Sequence, residues 1–339
     1  MSDLTIQLLN LIIEGKNLNE ISETLHTSHK KIFSYLTMIK NSGYEFRRSY
    51  YSNGDLIYTP EDRFSVQSSN EVNLLMSQND ETLRAVVISD THIGSEKERL
   101  DLLNDAYNYC VSKGIHIIFN CGDLIDNISN EGKVESEDRA NYLLKNYPFD
   151  KSILSFVVLG NHDMSTLKVY GQNLMTMLNN YRHDLVTIGY GEGLINVKKE
   201  AIVLSHRPYT DCLLESDKRS KIVLYGHSHF YRIKSFAQQT NCIGVNVPPL
   251  CDIFTKDISY PSILDMELTF NKSSNFDHLI LKQLISINNS FVPVNENDYY
   301  FKGYSSTNTE KTNEEDSPKV KTLTNGTSQI DKFNARWNK

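Results

Sequence analysis

The feature that most constrains the fold of this chain is a repeated event, in which an apolar run typical of a buried strand ends abruptly at Asp, Asn or His. In the first case, Val86, Val87 and Ile88 lead to Asp90 and His92. Such short runs, separated by helical segments, favour an α/β fold with parallel strands. Because parallel strands end at one edge of their sheet, the polar residues that follow them are expected to meet there.

Four more events of this kind occur between residues 83 and 285. The later strands run into the segments CGDLID, GNHD, SH and GHSH, which present Asp123, Asp126, Asn161, His162, Asp163, His206, His227 and His229. Residues two apart in an extended segment point to the same side. A single Asp-x-His or His-x-His pair is more often a surface or core feature, but five events in one domain indicate a metal site.

Together these motifs resemble the motif set of the calcineurin-like metallophosphoesterases, over residues 83–285. The resemblance implies a four-layer α/β-β-α sandwich that carries two metal ions. It also implies two groups of ligands joined by a bridging carboxylate: Asp90, His92 and His229; Asn161, His206 and His227; and the bridge, Asp123.

The chemistry of these residue types agrees with that assignment. Mixed imidazole and oxygen ligands suit Mn²⁺ first, with Fe, Zn²⁺ or Mg²⁺ as alternatives, better than Ca²⁺. Two divalent cations lower the pKa of a shared water, so that hydroxide can attack phosphorus. His162 is predicted to stabilise or protonate the leaving oxygen, and Asp163 to orient its imidazole. Asp126 either orients a ligand or caps a helix.

Two departures from the serine/threonine phosphatases of this superfamily narrow the substrate. Those enzymes usually carry Arg where Asn127 stands and Glu where Asp163 stands. The motifs are more similar to the nuclease and nucleotide-phosphodiesterase branches, so we expect a phosphodiesterase acting on DNA or another nucleotide. One alternative is a DNA-binding regulator with a nucleotide phosphodiesterase or phosphatase domain; a protein phosphatase is a weaker one.

Residues 1–59 show three short helical patterns followed by a hairpin signal at Asn53-Gly54, the order of a winged helix-turn-helix. The net charge of the whole chain is −7, so contact with DNA would need a local basic patch. The candidates for phosphate contacts lie in the third helix and the hairpin: Lys30, Lys31, Arg47 and Arg48. Many winged helices bind proteins instead, so both kinds of partner stay open.

The remaining segments have less pattern. Residues 60–82 are polar and predict a linker, and residues 286–339 predict a mostly disordered tail, because 302–328 are poor in apolar residues. The tail regains aromatic residues at Phe333 and Trp337, four positions apart, which predicts a motif that docks on a protein partner.

The setting expected from composition is the cytoplasm. The five cysteines are odd in number and show no Cys-x-x-Cys pair, which indicates free thiols in a reducing compartment. The first residues have no basic region typical of a signal peptide, and no apolar stretch has the length of a membrane span. No membrane partner is therefore expected.

Overall fold

The structure, a computed structural model, describes residues 3–60, 70–77, 80–126, 132–135, 138–206, 220–235, 242–252 and 260–301. The helices of this part of the chain are α1 (Asp3–Ile13), α2 (Leu18–Thr24), α3 (His29–Asn41), α4 (Leu100–Lys113), α5 (Arg139–Asn146), α6 (Asn161–Tyr170) and α7 (Leu174–Tyr181). None of these helices combines the length and the apolar character needed to cross a membrane.

The strands are β1 (Phe46–Tyr51), β2 (Leu56–Pro60), β3 (Glu71–Leu75), β4 (Thr82–Ile88), β5 (Ile117–Asn120), β6 (Leu154–Leu159), β7 (Leu185–Tyr190), β8 (Glu192–Val197), β9 (Glu200–Ser205), β10 (Ser220–Tyr225), β11 (Arg232–Ser235), β12 (Ile243–Asn246), β13 (Ser262–Phe270), β14 (Phe276–Ile287) and β15 (Ser290–Tyr300). They form a seven-stranded sheet, β15-β14-β13-β4-β5-β6-β7, and an eight-stranded sheet, β11-β12-β10-β9-β8-β3-β1-β2.

The two sheets pack face to face around one hydrophobic core. Phe119 and Val158 of the first sheet share a buried cluster with Ile202 and Leu224 of the second. A second cluster, which includes Leu103 of α4, lies between the outer face of the seven-stranded sheet and helices α4, α5 and α7. Three of the four predicted layers are therefore visible; residues 207–219, between β9 and β10, lie outside the described residues.

The N-terminal helices and hairpin occur in the predicted order, but a separate winged-helix domain is not supported. The hairpin β1–β2 continues the eight-stranded sheet through β3. The Phe33 ring of α3 stacks on the His183 ring, with centroids 4.6 Å apart, and the Tyr58 hydroxyl lies 2.5 Å from His183 Nδ1. Thr37 Oγ1 donates to the Asn180 carbonyl at 2.8 Å. The predicted recognition helix therefore uses one face to pack on the rest of the protein.

Two predicted boundaries are wrong. Strand β3 lies inside the segment predicted as a linker, where it pairs in parallel with β8 and buries Leu74 at 2% exposure. The tail predicted from residue 286 starts with ordered structure, because β14 ends at Ile287 and β15 pairs with it in antiparallel fashion. Phe333 and Trp337 lie outside the described residues.

Candidate metal centre

The five strand-end segments converge at one edge of the sandwich. The loops after β4 and β5 run side by side, with the Asp90 amide donating to the Gly122 carbonyl at 2.9 Å and the His92 amide to the Asp123 carbonyl at 3.1 Å. The loop after β10 joins β9 in the same way, since the Gly226 amide donates to the Ser205 carbonyl at 3.0 Å. Backbone pairing beyond the strands therefore fixes where the polar side chains stand.

Carboxylate and imidazole groups gather there in three sets, each with potential ligand atoms within 4.8 Å of one another: Asp90, His92 and His229; Asp123, His206 and His227; and His92, Asp123 and His162. The first set has the members expected for one metal, and the second joins Asp123, the expected bridge, to His206 and His227. The assignment of these residues as ligands stays a prediction. The third set adds His162, which was not predicted to be a ligand. Each set can hold a divalent metal ion.

Several buried ring nitrogens at this site have no hydrogen-bond partner in the described part of the chain, among them both nitrogens of His92 and Nε2 of His206. His92 Nε2 is 3.8 Å from Asp90 and 4.0 Å from Asp123, too far for hydrogen bonds. His206 Nδ1 donates to the Cys121 carbonyl at 2.6 Å. The other ring nitrogen, Nε2, lies 2.9 Å from Asp123, but the two groups do not have the geometry of a hydrogen bond. Unpaired buried polar atoms are costly, and a metal ion would pair these.

The charges at the site also favour a cation. Burial alone would lower the pKa of His206, but the carboxylates of Asp123 and Asp90 raise it to about 9. Burial lowers the pKa of His92 to about 4, against the pull of the same two carboxylates, so its imidazole is neutral. Burial would raise the pKa of Asp90, but His206 and His229 hold that pKa below its ordinary value. The space between the carboxylates therefore stabilises positive charge.

The backbone is unusual at the same residues. Five candidate ligands adopt positive φ, a conformation that favours glycine: Asp90 (52°), His92 (41°), Asp123 (52°), His227 (69°) and His229 (55°). A residue with a Cβ in this region costs about 1 kcal/mol or more, and such strain persists only where the surrounding structure imposes it. The tight turns that aim these side chains inward thus carry a stability cost.

The glycine of each motif is required for space. A Cβ on Gly122 would lie 2.6 Å from His206 Nδ1. A Cβ on Gly160 would overlap the Asp123 carboxylate, and one on Gly226 would overlap the Ser89 hydroxyl. The glycines before Asp123, Asn161 and His227 therefore let the loops approach each other closely enough to bring the ligands together.

His162 is aimed at the site by two contacts. Its Nδ1 lies 2.9 Å from Asp126 Oδ1, and its amide, at the start of α6, donates to Asp123 Oδ1 at 2.9 Å. Its Nε2 faces Asp123 Oδ2 at 3.8 Å. Burial would lower the pKa of His162, but the hydrogen bond to Asp126 and the charge of Asp123 raise it above its ordinary value. The imidazole is therefore placed to donate a proton, and its raised pKa favours the protonated form.

The predicted role of Asp163 in orienting His162 is wrong. Its fully buried carboxylate accepts the amides of Gly160 at 2.8 Å, Leu124 at 3.2 Å and Ile125 at 3.1 Å, and so ties the loops after β5 and β6 together. Burial, and then the charge of Asp123, raise the pKa of Asp163 to about 7. The contact expected of it is made by Asp126, whose position three residues after Asp123 was the one signal in the sequence.

Other supporting contacts could not be found from sequence patterns. Ser89 Oγ donates to Asp90 Oδ2 at 2.6 Å, and the His227 amide donates to the same oxygen at 3.1 Å. His206 Nδ1 donates to the backbone carbonyl of Cys121. Because any residue has such a carbonyl, the residue type at position 121 does not reveal this contact. Such contacts fix the orientation of the ligands.

Asn161 is exposed at the first position of α6, between Gly160 and His162. Its amide is not part of the three sets, which contain only carboxylate and imidazole groups. Its place in the chain keeps it beside the site, and its role as a ligand stays a prediction.

The structure does not bring the four predicted DNA contacts into one surface. Lys30 and Lys31 are exposed on α3, where Lys30 Nζ lies 5.5 Å from the centroid of the Phe149 ring. Arg47 is exposed on β1, and Arg48 is half-buried with its charge beside Tyr50 and Tyr58. The two lysines and the two arginines thus belong to different elements of the N-terminal region.

Comparison with known proteins agrees with the geometry of the site. The family model described as calcineurin-like phosphoesterase matches residues 83–253, which is half of the chain and includes all seven predicted ligands. No match to a curated protein was found.

Similar solved structures are distant. Vacuolar Protein Sorting 29 from Cryptosporidium parvum is 12% identical, with a TM-score of 0.40 over 65% of this chain and 100% of its own. A dimetal phosphatase from Danio rerio is 11% identical, with a TM-score of 0.41 over 65% and 99%. The nuclease MPE of Pseudomonas putida is 13% identical, with a TM-score of 0.31 over 53% and 82%. The extent of the family match and the two sets of metal-binding groups lead to one conclusion: this chain belongs to the calcineurin-like phosphoesterase family and is a phosphoester hydrolase.

Proposed function

We propose that this protein is a dinuclear-metal-dependent phosphodiesterase whose substrate is nucleic acid, DNA first, or another nucleotide diester. The observation that carries the proposal is the pair of ligand sets at one edge of the sandwich, with the His162 imidazole beside them. A phosphoryl group bound there would have a proton donor within reach of its leaving oxygen.

The proposed ligands are those of the two groups expected from the motifs: Asp90, His92 and His229; Asn161, His206 and His227; with Asp123 between them. Two bound divalent cations, for which we favour Mn²⁺, would supply a water of lowered pKa and positive charge for the phosphate oxygens. His162 gives its proton to the leaving oxygen, while Asp126 holds Nδ1 and so points Nε2 inward.

The regulator alternative is less favoured, because it needs a recognition helix that is free to enter a DNA groove. Helix α3 instead packs through Phe33 on His183 and through Thr37 on Asn180. The protein-phosphatase alternative is disfavoured by Asp163 and Asn127, which stand where those enzymes usually carry Glu and Arg.

The test is hydrolysis by the purified full-length protein with Mn²⁺. Bis-p-nitrophenyl phosphate, p-nitrophenyl phosphate, single- and double-stranded DNA, RNA and cyclic nucleotides are compared. We expect the diesters to be cleaved and Asp123→Asn to abolish cleavage, while Asp277→Asn, an exposed carboxyl on β14, serves as the control. Hydrolysis of the monoester alone would favour a phosphatase. Selective binding of one DNA sequence without cleavage would favour the regulator.

A further inference from the structure

A cleft opens in the eight-stranded sheet between β1 and β3. Within the described residues these strands pair only at Tyr50–Leu74 and Tyr51–Leu75, whereas β3 pairs with β8 from Glu71 onward. The strands part toward their N-terminal ends and leave a cavity of about 390 Å³. This volume lies in the range of clefts that hold small ligands.

The cleft opens at the same edge of the sheet as the metal centre. Strand β3 is parallel to β8, and β8 is antiparallel to β9, which ends at Ser205 directly before His206. The N-terminal ends of β3 and β8 therefore lie beside the C-terminal end of β9. With strands about 4.8 Å apart, the near wall of the cleft, β3, is about 10 Å from β9, the strand that ends directly before His206. A short oligonucleotide spans that distance.

The lining of the cleft suits an anion. Arg47 and Arg48 line it together with Ser49, Tyr50 and Asn73. No described residue forms an ion pair with either arginine, and Arg48 is half-buried with Tyr50, Tyr58 and His183 around its charge. Arginines without a carboxylate partner favour phosphate, which their planar donors match.

One acidic residue, Glu71, also lines the cleft, and its carboxylate is bound to the neighbouring strand β8. Glu71 Oε1 accepts the side-chain amide of Asn196 at 2.6 Å, across the boundary with β8. The exposed positive charge of the lining is therefore the guanidinium of Arg47, and the one carboxylate already accepts a hydrogen bond.

We propose that this cleft, the Arg47 cleft, binds a backbone phosphate of single-stranded nucleic acid whose scissile diester lies at the metal centre. The proposal rests on the proposed function. A nucleic acid repeats its charge along the chain, so a strand with one phosphate at the metal centre can place another in the cleft. A single strand is favoured over a duplex, because α3 is packed against α7 through Thr37 and against His183 through Phe33.

The test compares a single-stranded 12-mer DNA with bis-p-nitrophenyl phosphate for the wild type, Arg47→Ala and Arg47→Lys. We expect the ratio of kcat/KM for the 12-mer to kcat/KM for the small diester to fall about tenfold in Arg47→Ala, the loss of one charged hydrogen bond. The slope of log kcat/KM against log salt should weaken by about 0.7. Arg47→Lys should keep the salt slope and lose part of the ratio. Lys272→Ala, an exposed lysine in the β13–β14 turn, is the charge-matched control.

Three outcomes would overturn the proposal: an unchanged ratio in Arg47→Ala, an equal drop in Lys272→Ala, or an equal drop in Lys31→Ala, which would place the strand on α3. Failure of the proposed function gives a different result, because the wild type would then cleave no nucleic acid. In that case, fluorescence anisotropy of a labelled 12-mer still decides the cleft, since equal affinity of wild type and Arg47→Ala contradicts it.

Discussion

Asp126 Oδ1 lies 2.9 Å from Nδ1 of His162, and this contact holds the one imidazole at the metal centre that the motifs do not assign to a metal. The two residues stand on different segments: Asp126 follows β5, and His162 is the second residue of α6. Through this hydrogen bond the carboxylate selects the tautomer and the direction of the ring.

The first prediction concerns this pair. Asp126→Asn should lower kcat for bis-p-nitrophenyl phosphate by 10- to 100-fold, the usual effect of losing a group that orients a functional imidazole. His162→Ala should lose more, and both variants should retain two metal ions per chain by elemental analysis. Because Asp126 acts through His162, the double variant should be no slower than His162→Ala. Loss of a metal from His162→Ala would instead make His162 a ligand.

The second prediction separates the two aspartates. Asp163→Ala should lower the free energy of unfolding by about 3 kcal/mol or more, because three buried amides lose their acceptor. Asp126→Asn, measured in the same urea titration, should change it by less than about 1 kcal/mol. Equal stabilities for the two variants would contradict the conclusion that Asp163 holds the loops after β5 and β6 together.

A third prediction follows from backbone strain at the ligands. His227 is exposed and has a φ of 69°, a conformation that Asn adopts more easily. In EDTA, His227→Asn should be as stable as the wild type or more stable by up to about 1 kcal/mol, while activity with metal is lost. The control is His278→Asn, which breaks the contact to Asp298 and should lower stability. A large destabilisation of His227→Asn would show that strain is absent there.

The fourth prediction tests the space at the motif glycines. Gly160 has an ordinary φ of −89°, so Gly160→Ala acts through its Cβ, which would overlap the Asp123 carboxylate. We expect loss of bound metal and at least a 100-fold drop in kcat/KM, which corresponds to an increase of about 2.7 kcal/mol in the activation free energy. Gly171→Ala, where a Cβ meets nothing within 4 Å, should lose stability through its φ of 67° but keep its metals. Normal metal content in Gly160→Ala would be the contrary result.

The fifth prediction is a pH dependence of stability caused by His183. Burial, and then the charges of Arg48 and Lys40, hold the pKa of His183 well below its ordinary value of 6.5. Below pH 6.5 the unfolded chain binds a proton that the folded chain does not, so this contribution to stability is lost as the pH falls. The unfolding free energy in EDTA should fall more steeply in the wild type than in His183→Gln, by at most about 1.4 kcal/mol per pH unit. Parallel curves between pH 7.5 and 5 would exclude the effect.

The alternation of strands and helices and the residues that gather at the metal centre could be predicted, because both depend on local order. An apolar run makes a strand, and the residue after it lies at the edge of the sheet. Asp90, His92, Asp123, His206, His227 and His229 could be named for that reason. The glycines of the motifs were visible as well, although the Cβ contacts that require them were not.

The N-terminal region shows where this reasoning stops. Three helices and a hairpin could be predicted one by one, since each depends on its own spacing, caps and turn residues. Their assembly could not, because pairing between Glu71–Leu74 of β3 and β8 joins residues more than a hundred positions apart. The same holds for β15, whose polar sequence becomes a strand only beside β14.

The sequence by itself determined which side chains carry the chemistry, because the order of strands and polar residues along the chain places those groups at one edge. Only the tertiary structure decided which carboxylate serves which purpose. Asp163 directly follows His162 in its motif, whereas Asp126 belongs to another motif, yet Asp126 meets the His162 ring and Asp163 accepts three amides in the buried interior. Hydrogen bonds between distant loops depend on the packing of the whole sandwich, which no local pattern encodes.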